Sequence, residues 1–197
     1  MQHRALGRTG LSIAPLVLGG NVFGWTVDED ASFKVLDAFV DRGFDAIDTA
    51  DCYSAWAPGN TGGESETIIG KWLAARPGMR NRVKIFTKVG SATGGPHPGG
   101  LTEAYILQAV EKSLKRLGIE TIDLYFAHWP DPAGTSYAET LGAFDKLLKA
   151  GKVKAIGVSN VDAAQLAASF KAAKENGLPA YQVLQPEYNL YNRSAYE

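Results

Sequence analysis

The chain has 197 residues, is 45% hydrophobic and carries a formal net charge of -1, a balance that excludes a nucleic-acid or membrane surface as its main partner and leaves enough apolar material for one sizeable core. A single cysteine, Cys52, excludes an intrachain disulfide and fits a reducing compartment. No apolar run approaches the ~18 residues of a membrane span and MQHRALGRTG has no apolar signal-peptide region, so the expected location is cytoplasmic.

RALGRTGLSIAPLVLGG opens with short alternating stretches broken by glycine, which predicts a hairpin, and PLVLGG then reads as a buried strand. DEDASFKVLDAFVDRG has an acidic start, apolar residues at helical spacing and a closing Gly43. FDAID is the next strand, and GGESETIIGKWLAARPG a helix with Glu near its start and Pro77-Gly78 at its stop. VKIFTKVG reads as a strand and LTEAYILQAVEKSLKRLGI as a long helix capped by Thr102. IDLYFAHW is a strand, SYAETLGAFDKLLKAG a helix with Ser136 near its cap, VKAIGVSN a strand, VDAAQLAASFKAAKENG a helix and YQVLQPEYN a strand.

About six strands thus alternate with five helices after the hairpin, a pattern of parallel β/α units with right-handed crossovers. The strands are continuous apolar runs, as a sheet covered on both faces requires. No linker interrupts the order, so residues 1–197 read as one domain. SATGGPHPGG, residues 91–100, follows a strand directly and reads as a functional loop rather than a linker.

Polar residues gather where strands end. FDAID ends in Asp48, with Tyr53 shortly after; VKIFTK ends in Lys88, IDLYFAH in His128, VKAIGVSN in Ser159-Asn160 and YQVLQ in Gln185. Taken singly each has a plain reading: a pairing lysine, a core histidine, a rim tyrosine, a cap for the following helix. In a closed parallel barrel, however, the strand C-termini converge on one mouth. Phe44, Ala46 and Asp48 share one face of an extended chain, and a carboxylate on an apolar face needs a cation; Lys88 is the natural one. An ammonium beside a phenol favours the phenolate, which predicts a lowered Tyr53 pKa and a general acid near neutral pH. His128 can orient a carbonyl oxygen, and Ser159, Asn160 and Gln185 carry groups able to bind a nicotinamide carboxamide. Trp25, Trp56 and Trp129 lie just after strands and read as substrate-pocket walls, or as packing of the barrel rim. No metal is expected, and Cys52 reads as packing.

With IDTADCY, FTKVG, FAHWPDP, GVSN and LQPEYNLYNR in order, together with RALGRTGLSIAPLVLGGNVFG and GGESE, the sequence resembles the aldo-keto reductase family over essentially its whole length. The resemblance implies an α/β fold, a parallel (β/α)8 TIM barrel with an N-terminal β-hairpin across its bottom. It implies reversible NAD(P)H-dependent reduction of an aldehyde or ketone, with Asp48, Tyr53, Lys88 and His128 as the tetrad and Tyr53 as proton donor. NADPH is the implied cofactor, with NADH as alternative, and a small carbonyl compound the implied partner. Such a barrel needs eight strands and ~250 residues, so the chain reads as truncated after about six strands. The missing units would carry the pyrophosphate clamp and the residues that choose between cofactors. Two other readings stand beside this one: a Schiff-base aldolase using Lys88, and a non-catalytic cofactor-binding regulatory subunit.

Overall fold

The computed structural model describes residues 2–92 and 99–194; residues 93–98 of the glycine- and proline-rich loop lie outside the described residues. A short antiparallel hairpin, β1 (Arg4–Ala5) and β2 (Ser12–Ile13), precedes a six-stranded sheet. The sheet strands are β3 (Val17–Gly19), β4 (Ala46–Asp48), β5 (Lys84–Val89), β6 (Leu124–Ala127), β7 (Ile156–Ser159) and β8 (Val183–Gln185). All are parallel and lie in chain order. Helices α1 (Glu29–Asp41), α2 (Glu64–Ala74), α3 (Glu103–Leu117), α4 (Tyr137–Lys149) and α5 (Ala163–Asn176) connect them. This is the α/β architecture of a curled half-barrel, consistent with a truncated (β/α)8 barrel. Among the described residues no helix is long and apolar enough to cross a membrane.

Helix starts follow their sequence signals. Asp28, Thr102 and Ser136 each turn a side-chain oxygen to a backbone N–H of the first turn of α1, α3 and α4, satisfying donors that a helix leaves orphaned. Helix α5 is closed by Asp162, which forms a reciprocal capping box with Gln165.

Strand alternation sorts the core into two layers. Leu18, Ile47, Ile85, Tyr125, Ala127, Ile156, Val158 and Leu184 face outward into the layer between sheet and helices. Val17, Ala46, Phe86, Leu124, Phe126, Ala155 and Val183 face inward, where Leu6, Leu11 and Ile13 of the hairpin region join them. The hairpin therefore plugs the N-terminal end of the curl. It reaches from β4, where the Ala14 N–H donates to Asp45 Oδ1 (2.9 Å), to β8, where Gln182 Nε2 donates to the Arg8 carbonyl (3.0 Å). Gly157 makes room inside: a Cβ there would stand 2.5 Å from the Phe126 ring.

One expected detail differs. Ala46 and Asp48 do share the inner face, but Phe44 stacks on Phe39 of α1 with ring centroids 4.9 Å apart. Strand pairing begins only at Ala46, so the alternation does not extend back to Phe44.

Candidate active site

Asp48, Lys88, His128, Ser159 and Gln185 occupy the inward positions at the C-terminal ends of successive strands. Their parity is that of Ala46, Phe86, Phe126, Gly157 and Val183 below them. The sequence therefore delivers apolar residues to the floor and polar ones to the mouth of the same curl. Gln185 Nε2 lies 3.5 Å from Asp48 Oδ1 across the interior, although β8 and β4 are not neighbours in the sheet.

Lys88 is 1% exposed, yet each of its three ammonium hydrogens has an acceptor. Nζ donates to Asp48 Oδ2 (2.5 Å), to the Thr49 carbonyl (2.9 Å) and to the Tyr53 hydroxyl (2.8 Å). Thr49 was not foreseen, since a backbone acceptor leaves no mark on residue type. Tyr53 comes from the loop after β4. That loop is pinned by Ser54, in a left-handed conformation with its hydroxyl donating to the Phe23 carbonyl (2.7 Å), and by Asn60, which donates to the carbonyls of Gly24 and Ser54.

The Tyr53 and His128 rings lie edge to face, 5.7 Å between centroids. His128 Nδ1 stands 2.9 Å from Ser91 Oγ and 3.6 Å from Cys52 Sγ. Burial, and then the Lys88 ammonium, push the His128 pKa down to about 3, so its imidazole is neutral near pH 7. Burial, and then Asp51, push the Cys52 thiol up to about 11.

The expected lowering of the Tyr53 pKa is overturned. Burial first, then the charge of Asp48, hold the phenol well above its ordinary value. The Lys88 ammonium is already matched by Asp48, so the phenol meets a neutral pair and desolvation decides. Burial also lowers the Lys88 pKa, with Asp48 opposing it.

Ser159 and Asn160 do not cap α5, because Asp162 performs that role. Ser159 Oγ donates to the Gln185 carbonyl (2.8 Å), and Asn160 Nδ2 donates to the His128 carbonyl (2.9 Å) and to Ser159 Oγ (3.0 Å). Asn160 holds a left-handed backbone (φ 59°), a conformation that asparagine tolerates better than most residues.

The three tryptophans stand about half exposed. Trp25 meets Trp56 edge-on at 5.7 Å, Trp56 meets Tyr53 at 6.1 Å, and Trp129 stacks beside His128 at 6.2 Å. All three thus border the polar cluster. A concavity of about 690 Å³ lies at the opposite end of the strands among Arg80, Lys84, Asp123 and Lys154, where those cations pair with Asp45 and Asp123. In this architecture that end serves stability, not chemistry.

A second buried layer was not read from the sequence. Asp51 lies behind Cys52; Glu66 of α2 accepts from Thr87 Oγ1 (2.6 Å) and from Arg116 Nε (2.7 Å). Burial, then the charge of Glu66, push the Asp51 pKa well up, and its Oδ1 has no hydrogen-bond partner among the described residues.

The family model for the aldo/keto reductase family matches residues 15–197. The uncharacterized oxidoreductase YrpG of Bacillus subtilis is 36% identical over 99% of this chain and 60% of its own length. The aldo-keto reductase YhdN of the same organism is 34% identical over the whole chain and 56% of its own length. A probable voltage-gated potassium channel subunit beta of Arabidopsis thaliana is 31% identical, again over the whole chain and 58% of its own length. The chain spans somewhat more than half the length of these curated relatives. By the match of its sequence and of its parallel half-barrel, the chain belongs to the aldo/keto reductase family.

Proposed function

We propose that this chain carries the catalytic tetrad of an NAD(P)H-dependent carbonyl reductase, reversible in direction, with Asp48, Tyr53, Lys88 and His128 as its members. One observation carries the reading: a single buried ammonium joins a carboxylate to a phenol, and a neutral imidazole stands beside that phenol. A bound nicotinamide supplies the hydride. The protein's own residues supply the proton and the charge stabilisation.

Tyr53, held in its protonated form, gives its proton to the carbonyl oxygen, and the resulting phenolate is stabilised by Lys88. Asp48 fixes Lys88 and offsets its charge in the resting site. His128 Nδ1 faces Ser91 Oγ and Cys52 Sγ; in the tautomer the mechanism uses, the ring proton sits on Nε2, which donates to the same carbonyl oxygen. Solvent then restores the proton to Tyr53.

The donor set beside the tetrad fits a nicotinamide carboxamide. Asn160 commits both side-chain N–H groups within the protein, which leaves Oδ1 as an acceptor for the amide NH2; Ser159 and Gln185 stand next to it. NADPH is the proposed cofactor, with NADH as alternative. Trp25, Trp56 and Trp129 form the proposed apolar walls for a small carbonyl substrate, and a cytoplasmic location is part of the same reading.

The aldolase alternative is disfavoured, because a Schiff-base lysine needs a free amine and every Lys88 hydrogen is engaged. The regulatory-subunit reading draws support from the likeness to the potassium channel subunit beta.

The test is a titration with NADPH, and with NADH for comparison, followed by nicotinamide fluorescence, then turnover on a panel of aldehydes and ketones. Saturable binding with turnover is expected. Binding without turnover on any carbonyl would favour the regulatory reading. No binding by the folded full-length protein would sink both.

A further inference from the structure

Beside His128, three buried side chains of metal-ligating type converge. Asp51, Cys52 and His128 each offer a donor atom, and the three atoms lie within 4.8 Å of one another. The Cys52 Sγ to His128 Nδ1 distance is 3.6 Å. Zinc bonds of about 2.3 Å to sulfur and about 2.0–2.1 Å to nitrogen, opened to a tetrahedral angle, separate the two ligands by about 3.6 Å. The sulfur and nitrogen thus already stand at the edge length of a zinc tetrahedron.

Asp51 is 3% exposed, and its Oδ1 has no hydrogen-bond partner among the described residues. Such an atom is costly unless it is paired. Ser91 Oγ, 2.9 Å from the same imidazole nitrogen, or a water can complete the coordination.

We infer that Asp51, Cys52 and His128 form a binding site for one divalent ion of the zinc class, seated on the Nδ1 side of the imidazole. On binding, the Cys52 proton, and any proton on Asp51, leave to solvent. Thiolate, carboxylate and neutral imidazole then balance the +2 ion. The metal-to-Nδ1 bond forces the ring proton onto Nε2, so the ion would lock the tautomer that the proposed reductase uses. That consequence rests on the proposed function; the binding itself does not.

Cobalt(II) is the probe, because a thiolate-to-cobalt charge-transfer band that is lost in Cys52→Ala reports on Cys52, the one cysteine among these 197 residues. The intact protein, stripped of metal with chelator, is titrated with Co2+ near neutral pH. One equivalent should produce a near-ultraviolet charge-transfer band with tetrahedral d–d absorption, and Zn2+ should displace it. Cys52→Ala should abolish the band. Asp51→Asn, checked for native circular dichroism, should weaken Co2+ binding by at least about tenfold; if that variant does not fold, His128→Asn makes the same test. A folded protein that gives no band at saturating Co2+ overturns the site. So does a band that keeps its affinity in the carboxylate or imidazole variant, because the thiol would then bind without the others. NADPH binding, measured on the same samples, reports on the reductase reading separately.

Discussion

The Lys88 ammonium lies 2.5 Å from Asp48 Oδ2, and neither side chain is more than a tenth exposed. Removing one member leaves the other charged or forced to neutralise in a dry site, which costs about 3–5 kcal/mol when the pair is fully buried. Asp48→Asn and Lys88→Met are each expected to lower the unfolding free energy by an amount of that order, seen as a lower denaturant midpoint at unchanged m-value. A double variant that costs about as much as either single one would show that the pair acts as a unit.

Tyr53→Phe removes one hydroxyl and keeps the ring against Trp56 and His128. Carbonyl reduction should fall by about 10²–10⁴-fold, the usual range for loss of a general acid. Cofactor affinity, by nicotinamide fluorescence, should stay as in the wild type. Loss of both would assign Tyr53 a structural role instead.

The upward displacement of the Tyr53 pKa has a direct kinetic sign. Reduction consumes the phenol proton, so the acid form is the active one, and it persists above the ordinary tyrosine value of about 10. The single-turnover rate of reduction should therefore show no alkaline fall from this group between about pH 7 and about pH 9. A fall within that window would mean that Lys88 outweighs burial and that the phenolate is favoured after all.

Asp37 offers a linkage test away from the site. Its carboxylate accepts from Arg76 at 2.5 Å through both oxygens and from Trp72 Nε1 at 2.8 Å. The Arg76 hydrogen bonds, against some burial, hold its pKa below the ordinary value. A depressed folded pKa gives stability that is present above the unfolded value of about 3.9 and is lost as pH falls through the folded value. The pair is partly exposed, so Asp37→Asn should cost roughly 1 kcal/mol or less near pH 7. The gap between variant and wild type should narrow as pH drops below about 4. A gap that does not change with pH would mean that shape, not charge, is what Asp37 contributes.

Gly157→Ala tests the inner floor. The added Cβ would lie 2.5 Å from the Phe126 ring, and overpacking of this kind costs about 1–3 kcal/mol. Phe126→Leu in the same chain should recover part of that loss, whereas independent costs that simply add would show the contact to be unimportant.

Much of this architecture is written in residue order. The caps at Asp28, Thr102 and Ser136 follow local chemistry, since a cap contacts a backbone only a few residues away. The convergence of Asp48, Lys88 and His128 was legible because alternation is a period-two rule. Once Ala46, Phe86 and Phe126 point inward, Asp48, Lys88 and His128 must as well. What escaped depended on packing that residue types do not mark. Phe44 left the alternation because, just before strand pairing begins, its ring packs back on Phe39 near the end of α1. The Asp51, Glu66 and Arg116 layer joins three separate segments through side-chain charge, and no local pattern marks it. The sign of the Tyr53 shift depended on how far Asp48 cancels Lys88 and how dry the site is, quantities that residue types alone do not fix.

Helix α5 carries its own closure in Asp162 and Gln165, one residue beyond the Val161 that follows Asn160. Ser159 and Asn160 are thereby released from any duty to the helix, and their side chains turn to β8 and to the His128 backbone instead. A change at Ser159 or Asn160 would therefore reach β8 and the His128 backbone, while the start of the helix keeps its own cap.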